Sequence, residues 1–177
     1  MKYKFKTEPY EHQLEALKRS WNKKEYAYFM EMGTGKSKVL IDNIAILYDK
    51  GGINAAIIIA PKGVYRNWSG KEIPFHMPDH VERHVGVWNP APTRKQKVEL
   101  TKLFEVSPEL KILVINVEAF STKKGVAFVE KFILAHNTLI AVDESTTIKN
   151  PKAQRTKNLL KLAINTKYRR ILTGFPV

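Results

Sequence analysis

Short, unbroken apolar runs alternate along this chain with segments in which apolar residues recur at helical spacing. The clearest runs are residues 54–60, 112–115 and 138–142. Runs of this kind are typical of parallel strands that are covered on both faces. Strands that alternate with helices predict an α/β fold of three layers with a mostly parallel central sheet.

The same patterns locate the individual elements. We predict strands at residues 26–30, 54–60, 84–88, 112–115, 138–142 and 168–173. We predict helices at residues 11–23, 40–48, 64–72, 100–104, 126–133 and 153–163. The strand at 84–88 is weak, and the proline-containing segment 75–94 around it is predicted to be a surface excursion without chemistry.

The charge balance indicates a polyanionic partner. The 177 residues, enough for one domain, carry 30 Lys and Arg against 17 Asp and Glu, a formal net charge of +13. Nucleic acid is the usual partner of so basic a domain, although a solubilising lysine-rich surface would give the same count. The chain has no cysteine, which excludes disulfides and thiolate metal sites. No apolar run approaches the roughly 20 residues that cross a membrane, so we expect no membrane partner.

A glycine-rich loop follows the first predicted strand. Residues 33–37 read Gly-Thr-Gly-Lys-Ser and lead into a helix. A phosphate loop needs glycines where the backbone approaches phosphates, N–H groups at a helix N-terminus, a lysine, and a hydroxyl for Mg²⁺. Gly33, Thr34, Gly35, Lys36 and Ser37 are therefore candidate nucleotide ligands. The full pattern has a further glycine at the position of Met30, and a chance turn is the alternative.

Two adjacent carboxylates, Asp143 and Glu144, end a predicted buried strand. The first suits Mg²⁺ and the second suits a base that orients or deprotonates the attacking water. Taken alone, such a pair is more often a solvated acidic turn. Together with a phosphate loop on the same predicted sheet, it favours an ATPase.

Further segments complete an ordered set of motifs. Residues 10–13 are similar to a Q motif, 32–37 to motif I, 60–68 with Glu72 to motif Ia, 114–120 to motif Ib, 143–150 to motif II and 172–176 to motif III. In this order they resemble superfamily-two helicases and translocases, DEAD/DEAH-like ATPases, and most closely the Swi/Snf type. The Swi/Snf form of motif I also lacks the first glycine, which accounts for Met30.

The resemblance implies a RecA-like lobe that binds ATP and Mg²⁺. In that family, Gln13 would contact adenine and Lys36 the β and γ phosphates. Ser37 and Asp143 would hold Mg²⁺, and Glu144 would position the water.

The resemblance also implies ATP-driven movement along nucleic acid, with DNA the expected track and RNA the alternative. Lys62 and the loops of motifs Ib and III, with Asn116, Thr173 and Gly174, would contact the backbone. A basic run around the last helix would either be a solvated face or follow phosphates; its members are Lys149, Lys152, Arg155, Lys157, Lys161, Lys167, Arg169 and Arg170.

Four positions leave alternatives open or depart from the family. Tyr10 is equally an adenine-site residue or a core residue of the first helix, and Trp68 is expected to pack rather than stack on bases. Motif II has Thr146 where histidine is usual, which weakens the expected coupling to motif III. Motif III has Phe175 in place of a threonine.

Motors of this family have two RecA-like lobes, and the second supplies arginine fingers. The resemblance covers 10–177 and contains one lobe, so we expect a piece of a longer protein, weak or inactive as an ATPase by itself. The alternatives are a nucleotide-gated binding module without turnover and the motor part of a restriction system. We expect a phage or bacterial protein in the cytoplasm, with association with the nucleoid as an alternative.

Overall fold

A single six-stranded sheet forms the centre of the computed structural model, which describes residues 3–174. Its strands are β1 (Glu25–Phe29), β2 (Ala55–Ala60), β3 (Arg83–Val87), β4 (Leu110–Asn116), β5 (Thr138–Asp143) and β6 (Tyr168–Thr173). The order across the sheet is β1-β6-β5-β2-β4-β3, and every pairing is parallel. The predicted three-layer α/β fold is confirmed, with a sheet that is parallel throughout.

Helices cover both faces of the sheet. They are α1 (Glu11–Ser20), α2 (Lys36–Asp49), α3 (Tyr65–Asn67), α4 (Ile73–His76), α5 (Arg94–Lys102), α6 (Lys123–Ala135) and α7 (Gln154–Ala163). A π turn (Trp68–Glu72) joins α3 to α4, and 3-10 turns follow β4 (Val117–Ser121) and β5 (Ser145–Ile148).

The central strands explain why the apolar runs are unbroken. Alternate residues of β2 enter two separate cores: Ala56 and Ile58 face the core beneath α1 and α2, whereas Ile57 and Ile59 face the core beneath α6 and α7. Every residue of β2 and of β4 is buried. A strand covered on both faces favours apolar side chains at successive positions, as in the run 112–115, and the buried polar residues of β4, Lys111 and Asn116, have hydrogen-bond partners.

The prediction of a surface excursion at 75–94 is wrong. Met77, Val81 and Trp88 are buried. Met77 and Val81 belong to the core beneath α1 and α2, and Trp88 belongs to the core beneath α6 and α7. The weak strand inside this segment is confirmed as β3, which pairs with β4. Among residues 3–174, no helix combines the length and apolarity that a membrane crossing requires.

Arg170 departs from the predicted basic surface, because it is 1% exposed within β6. Its guanidinium donates to Asn43 Oδ1 at 2.8 Å, to the Ser20 carbonyl at 3.0 Å and to its neighbour's carbonyl at 2.9 Å. These bonds tie β6 to α1 and α2. Burial lowers the pKa of this guanidinium below its ordinary value.

Arg170→Met is therefore expected to destabilise the protein by about 3 kcal/mol, since it leaves buried carbonyl and amide oxygens without donors. The free energy of unfolding in urea measures the effect. The matched control is Lys167→Met, because Lys167 is exposed just before the same strand. Equal stability of the two variants would contradict the structural role of Arg170.

Candidate functional site

The phosphate loop lies between β1 and α2, as the sequence predicts. Gly33 and Gly35 have φ of 78° and 81°, a left-handed conformation that favours glycine. Gly35 is also the N-cap of α2, so the N–H groups of the first helical turn point into the loop. A Cβ on Gly35 would overlap the side-chain amide of Gln13. The loop thus needs glycine here for conformation and for space.

Gln13 braces this loop from α1. Its Nε2 donates to the Thr34 carbonyl at 3.0 Å, and its Oε1 accepts from the Tyr10 N–H at 2.9 Å. His12 Nε2 lies 2.9 Å from the same Thr34 carbonyl. The amide is 5% exposed. The adenine contact of Gln13 stays a prediction, and the structure adds a second role, which is to hold the loop.

Tyr10 is 71% exposed and stacks on His12, with ring centroids 5.8 Å apart. Its interpretation as a core residue of the first helix is therefore wrong. An exposed ring beside the loop remains compatible with the other interpretation, a contact to adenine.

Lys36 lies at the base of the loop. Its Nζ donates to the Met30 carbonyl at 3.0 Å. A Cβ on Gly174 would lie 3.7 Å from this Nζ, so the end of β6 adjoins the phosphate loop. Motif III therefore meets motif I directly within the lobe.

The acidic pair ends β5, two strands from β1. Asp143 Oδ2 accepts from Trp68 Nε1 at 3.0 Å. Burial raises the pKa of the Asp143 carboxyl above its ordinary value, and the Trp68 hydrogen bond opposes that shift. Trp68 is 2% exposed, as the packing interpretation predicts, and it also orients the candidate metal ligand.

Glu144 has φ 55° and ψ 61°, and no other residue apart from glycine has a positive φ within 3–174. A side chain in this region is strained and is held there by its surroundings. The Glu144 carbonyl accepts from the Thr147 N–H and from Thr147 Oγ1, both at 3.1 Å. This turn fixes the direction in which the glutamate leaves the strand.

One cleft of about 370 Å³ brings these motifs together. Gly33, Gly35, Lys36, Ser37, Asp143 and Glu144 all line it. The donor set suits Mg²⁺, which commonly takes one or two protein oxygens and completes its shell with water and phosphate oxygens. Ser37 and Asp143 line the cleft and stay the predicted protein ligands of Mg²⁺. No group of three His, Asp or Glu side chains that could hold a metal is present in residues 3–174.

The segment that contains the π turn contributes two lining residues that the sequence did not single out for the site, Glu72 and His76. Together with Trp68, whose indole N–H donates to Asp143, they recur every four residues. His76 Nε2 lies 3.6 Å from Glu72 Oε2, and its Nδ1 lies 2.9 Å from Thr7 Oγ1. Burial lowers the pKa of His76 below its ordinary value. The four-residue spacing from Trp68 to Glu72 to His76 is the sequence pattern that could have indicated Glu72 and His76 as cleft residues.

The four positions expected to contact nucleic acid differ in exposure. Lys62 is exposed. Asn116 is buried and its Oδ1 accepts from the Ala119 N–H at 3.0 Å, so it caps the 3-10 turn. Thr173 is fully buried, so its side chain is not available to a phosphate in this structure, and Gly174 lies against the phosphate loop. Phe175 of motif III lies outside the described residues.

Comparisons with known proteins agree with this geometry. The SWI2/SNF2 ATPase core of Sulfolobus solfataricus in complex with double-stranded DNA superposes with a TM-score of 0.73 at 20% identity, over 98% of this chain and 33% of that one. The UvsW helicase of bacteriophage T4 superposes with a TM-score of 0.65 at 12% identity, over 95% of this chain and 53% of that one. Both show the fold.

In sequence, the ATP-dependent helicase fft2 of Schizosaccharomyces pombe is 25% identical over 151 residues, which are 83% of this chain and 11% of the relative. The chain thus spans a small part of this relative. These matches come from a fungus, an archaeon and a phage, so they do not support the expected phage or bacterial origin. The family model of the SNF2-related domain matches residues 12–177. Since that match covers most of the chain and includes the phosphate loop, the acidic pair and all six strands of the sheet, the chain belongs to the SNF2-related domain family.

Proposed function

We propose that this chain is the ATP-binding lobe of a nucleic-acid motor, which couples ATP hydrolysis to movement on DNA. The observation that carries the proposal is the cleft in which the phosphate loop faces Asp143 and Glu144. A cation, a hydroxyl, helix N–H groups and two carboxylates in one cleft are the parts that phosphoryl transfer to water requires.

The position of each residue in the cleft supports its role in the proposed reaction. The N–H groups at the start of α2 and the Lys36 ammonium bind phosphate oxygens, for which Lys36 exchanges its bond to the Met30 carbonyl. Ser37 and Asp143 hold Mg²⁺, which neutralises phosphate charge when it is bound. Trp68 keeps Asp143 turned toward the cleft. Glu144 accepts a proton from the attacking water or orients it.

A second lobe completes the reaction in this proposal. An arginine finger contributes roughly 10³ to 10⁵ in rate, and none of the described residues that line the cleft is an arginine. The relatives are several-fold longer than the matched region, which supports a further lobe. The lobe by itself should therefore bind nucleotide and release little phosphate.

Glu144→Gln should leave nucleotide affinity unchanged and reduce turnover by about 10²-fold or more, because the amide cannot accept the proton. The measurement is DNA-stimulated phosphate release by a protein that carries both lobes, with nucleotide affinity by fluorescence titration. Glu31→Gln is the matched control, since Glu31 is exposed at the start of the loop and does not line the cleft.

Normal turnover by Glu144→Gln would overturn the assigned roles of the acidic pair. Nucleotide-dependent DNA binding without turnover in the unmodified two-lobe protein would favour a nucleotide-gated module.

The nucleic-acid surface is proposed to be led by backbone contacts. The net charge is +13. Lys62 is exposed and precedes the segment that contains the π turn. The exposed lysines of α7 and its flanks add to the positive electrostatic potential. One structural neighbour is a complex with double-stranded DNA, which supports DNA as the track.

Affinity for duplex DNA should fall steeply between about 50 and about 200 mM salt and depend little on sequence, because phosphate contacts release counterions. Fluorescence anisotropy with two duplexes of unrelated sequence measures both effects. A salt-insensitive complex, or one restricted to a single sequence, would contradict a backbone-led surface.

A further inference from the structure

A second cleft lies on the other side of the sheet, between α5, α6 and the residues that follow β3. Six apolar side chains line this cleft of about 410 Å³, which we call the aromatic groove: Trp88, Pro92, Leu100, Phe104, Ala127 and Phe128. It adjoins the β3 edge of the sheet, whereas the phosphate loop follows β1 at the opposite edge. The aromatic groove therefore takes no part in the nucleotide cleft.

The rings form tilted walls and not a flat platform. Trp88 and Phe128 have centroids 5.0 Å apart at 50°, and Phe104 and Phe128 are 5.4 Å apart at 79°. Trp88 is only 4% exposed, so its faces are closed to a stacking base. Walls of this shape suit an inserted aliphatic or aromatic side chain better than a nucleobase.

Three lysines surround the aromatic groove, and none of the residues that line it in the described part of the chain is acidic. Lys131 Nζ lies 4.3 Å from the Phe104 ring centroid, and Lys124 Nζ donates to the Pro90 carbonyl at 2.6 Å. Lys97 faces them from α5. None of the three takes part in an ion pair within residues 3–174. Within the described residues, no carboxylate therefore lies at ion-pair distance from these three ammonium groups.

We propose that the aromatic groove docks an acidic peptide segment of a partner protein. One large apolar side chain fills the groove, and carboxylates on either side of it meet the three lysines. Lys124 and Lys131 are seven residues apart on α6, which places them on one helix face about 10 Å apart along the axis. That separation suits two carboxylates that lie on either side of a single buried apolar side chain. A large apolar side chain that is buried in a pocket and surrounded by charged residues is a common arrangement at protein interfaces.

The test uses a fluorescein-labelled peptide in which Leu and Phe are flanked on both sides by Glu. Anisotropy should show binding to the protein. A peptide with Lys in place of Glu, and a peptide with Ala in place of Leu and Phe, should each bind at least about tenfold more weakly.

Two pairs of variants locate the site. Ala127→Glu places a carboxylate in the aromatic groove and should weaken binding of the acidic peptide about tenfold or more, whereas Leu134→Glu on the same helix should change it less than about twofold. Lys97→Glu should weaken it several-fold, and Lys95→Glu on the same helix should not. The four substituted positions, Lys95, Lys97, Ala127 and Leu134, are all exposed. All four variants should therefore keep the free energy of unfolding in urea of the unmodified protein, which checks folding independently of the motor proposal.

Equal binding of the three peptides, or an affinity that Ala127→Glu leaves unchanged, would overturn the proposal. A single-stranded thymidine oligonucleotide that binds the protein and loses its affinity in Ala127→Glu would also overturn it, because the groove would then hold nucleic acid.

Discussion

Parallel pairing of β1 and β5 with the same strand, β6, is the constraint on which the nucleotide cleft depends. In register, Phe29 pairs with Thr173 and Asp143 pairs with Leu172, so the three strands end at nearly the same level. The Met30 N–H extends the first pairing by donating to the Thr173 carbonyl at 3.2 Å. The carboxyl ends of these strands therefore place three features side by side: the phosphate loop, the acidic pair and Gly174. Chemistry separated by more than a hundred residues in sequence becomes local because of strand order.

Lys36 and Lys38 of α2 have different hydrogen-bond partners, and this difference suits phosphate binding by Lys36. Lys38 donates to Asp42 at 2.8 Å and to the Thr7 carbonyl at 2.7 Å, and Tyr3 donates to the other Asp42 oxygen at 2.9 Å. The Lys38 charge is thus compensated inside the fold, and the pair fastens the N-terminal segment across α2. Lys36 donates instead to a neutral carbonyl, so its charge remains for an anion.

Much of this arrangement could be predicted from the sequence. The unbroken runs of β2, β4 and β5 follow from burial on both faces, and the glycines at 33 and 35 follow from backbone conformation. Burial of a strand and a left-handed backbone conformation each restrict the residue types at neighbouring positions, so both are visible in the local sequence. Trp68 was predicted to pack, but its bond to Asp143 joins residues 75 positions apart, which no local pattern reports.

The remaining features depend on tertiary contacts. Arg170 looks like one more basic residue in a basic run, and only the assembled fold surrounds it with carbonyl and amide oxygens. The segment 75–94 looked like a surface loop because prolines hide the spacing of its buried residues. Glu72 and His76 face the cleft because of the helical segment on which they lie, and their spacing becomes meaningful only once that segment is known to adjoin the loop.

The central claim is that the loop at 33–37 binds Mg²⁺–ATP through Lys36. Its most direct test is titration of the protein with a fluorescent ATP analogue in the presence of Mg²⁺, comparing Lys36→Ala with Lys50→Ala at the C-cap of the same helix. Loss of the charge-assisted bonds to phosphate should weaken affinity about tenfold or more in Lys36→Ala. Lys50→Ala should bind as the unmodified protein does. Unchanged affinity in Lys36→Ala would show that nucleotide, if bound, lies elsewhere, and the account of the cleft would be wrong.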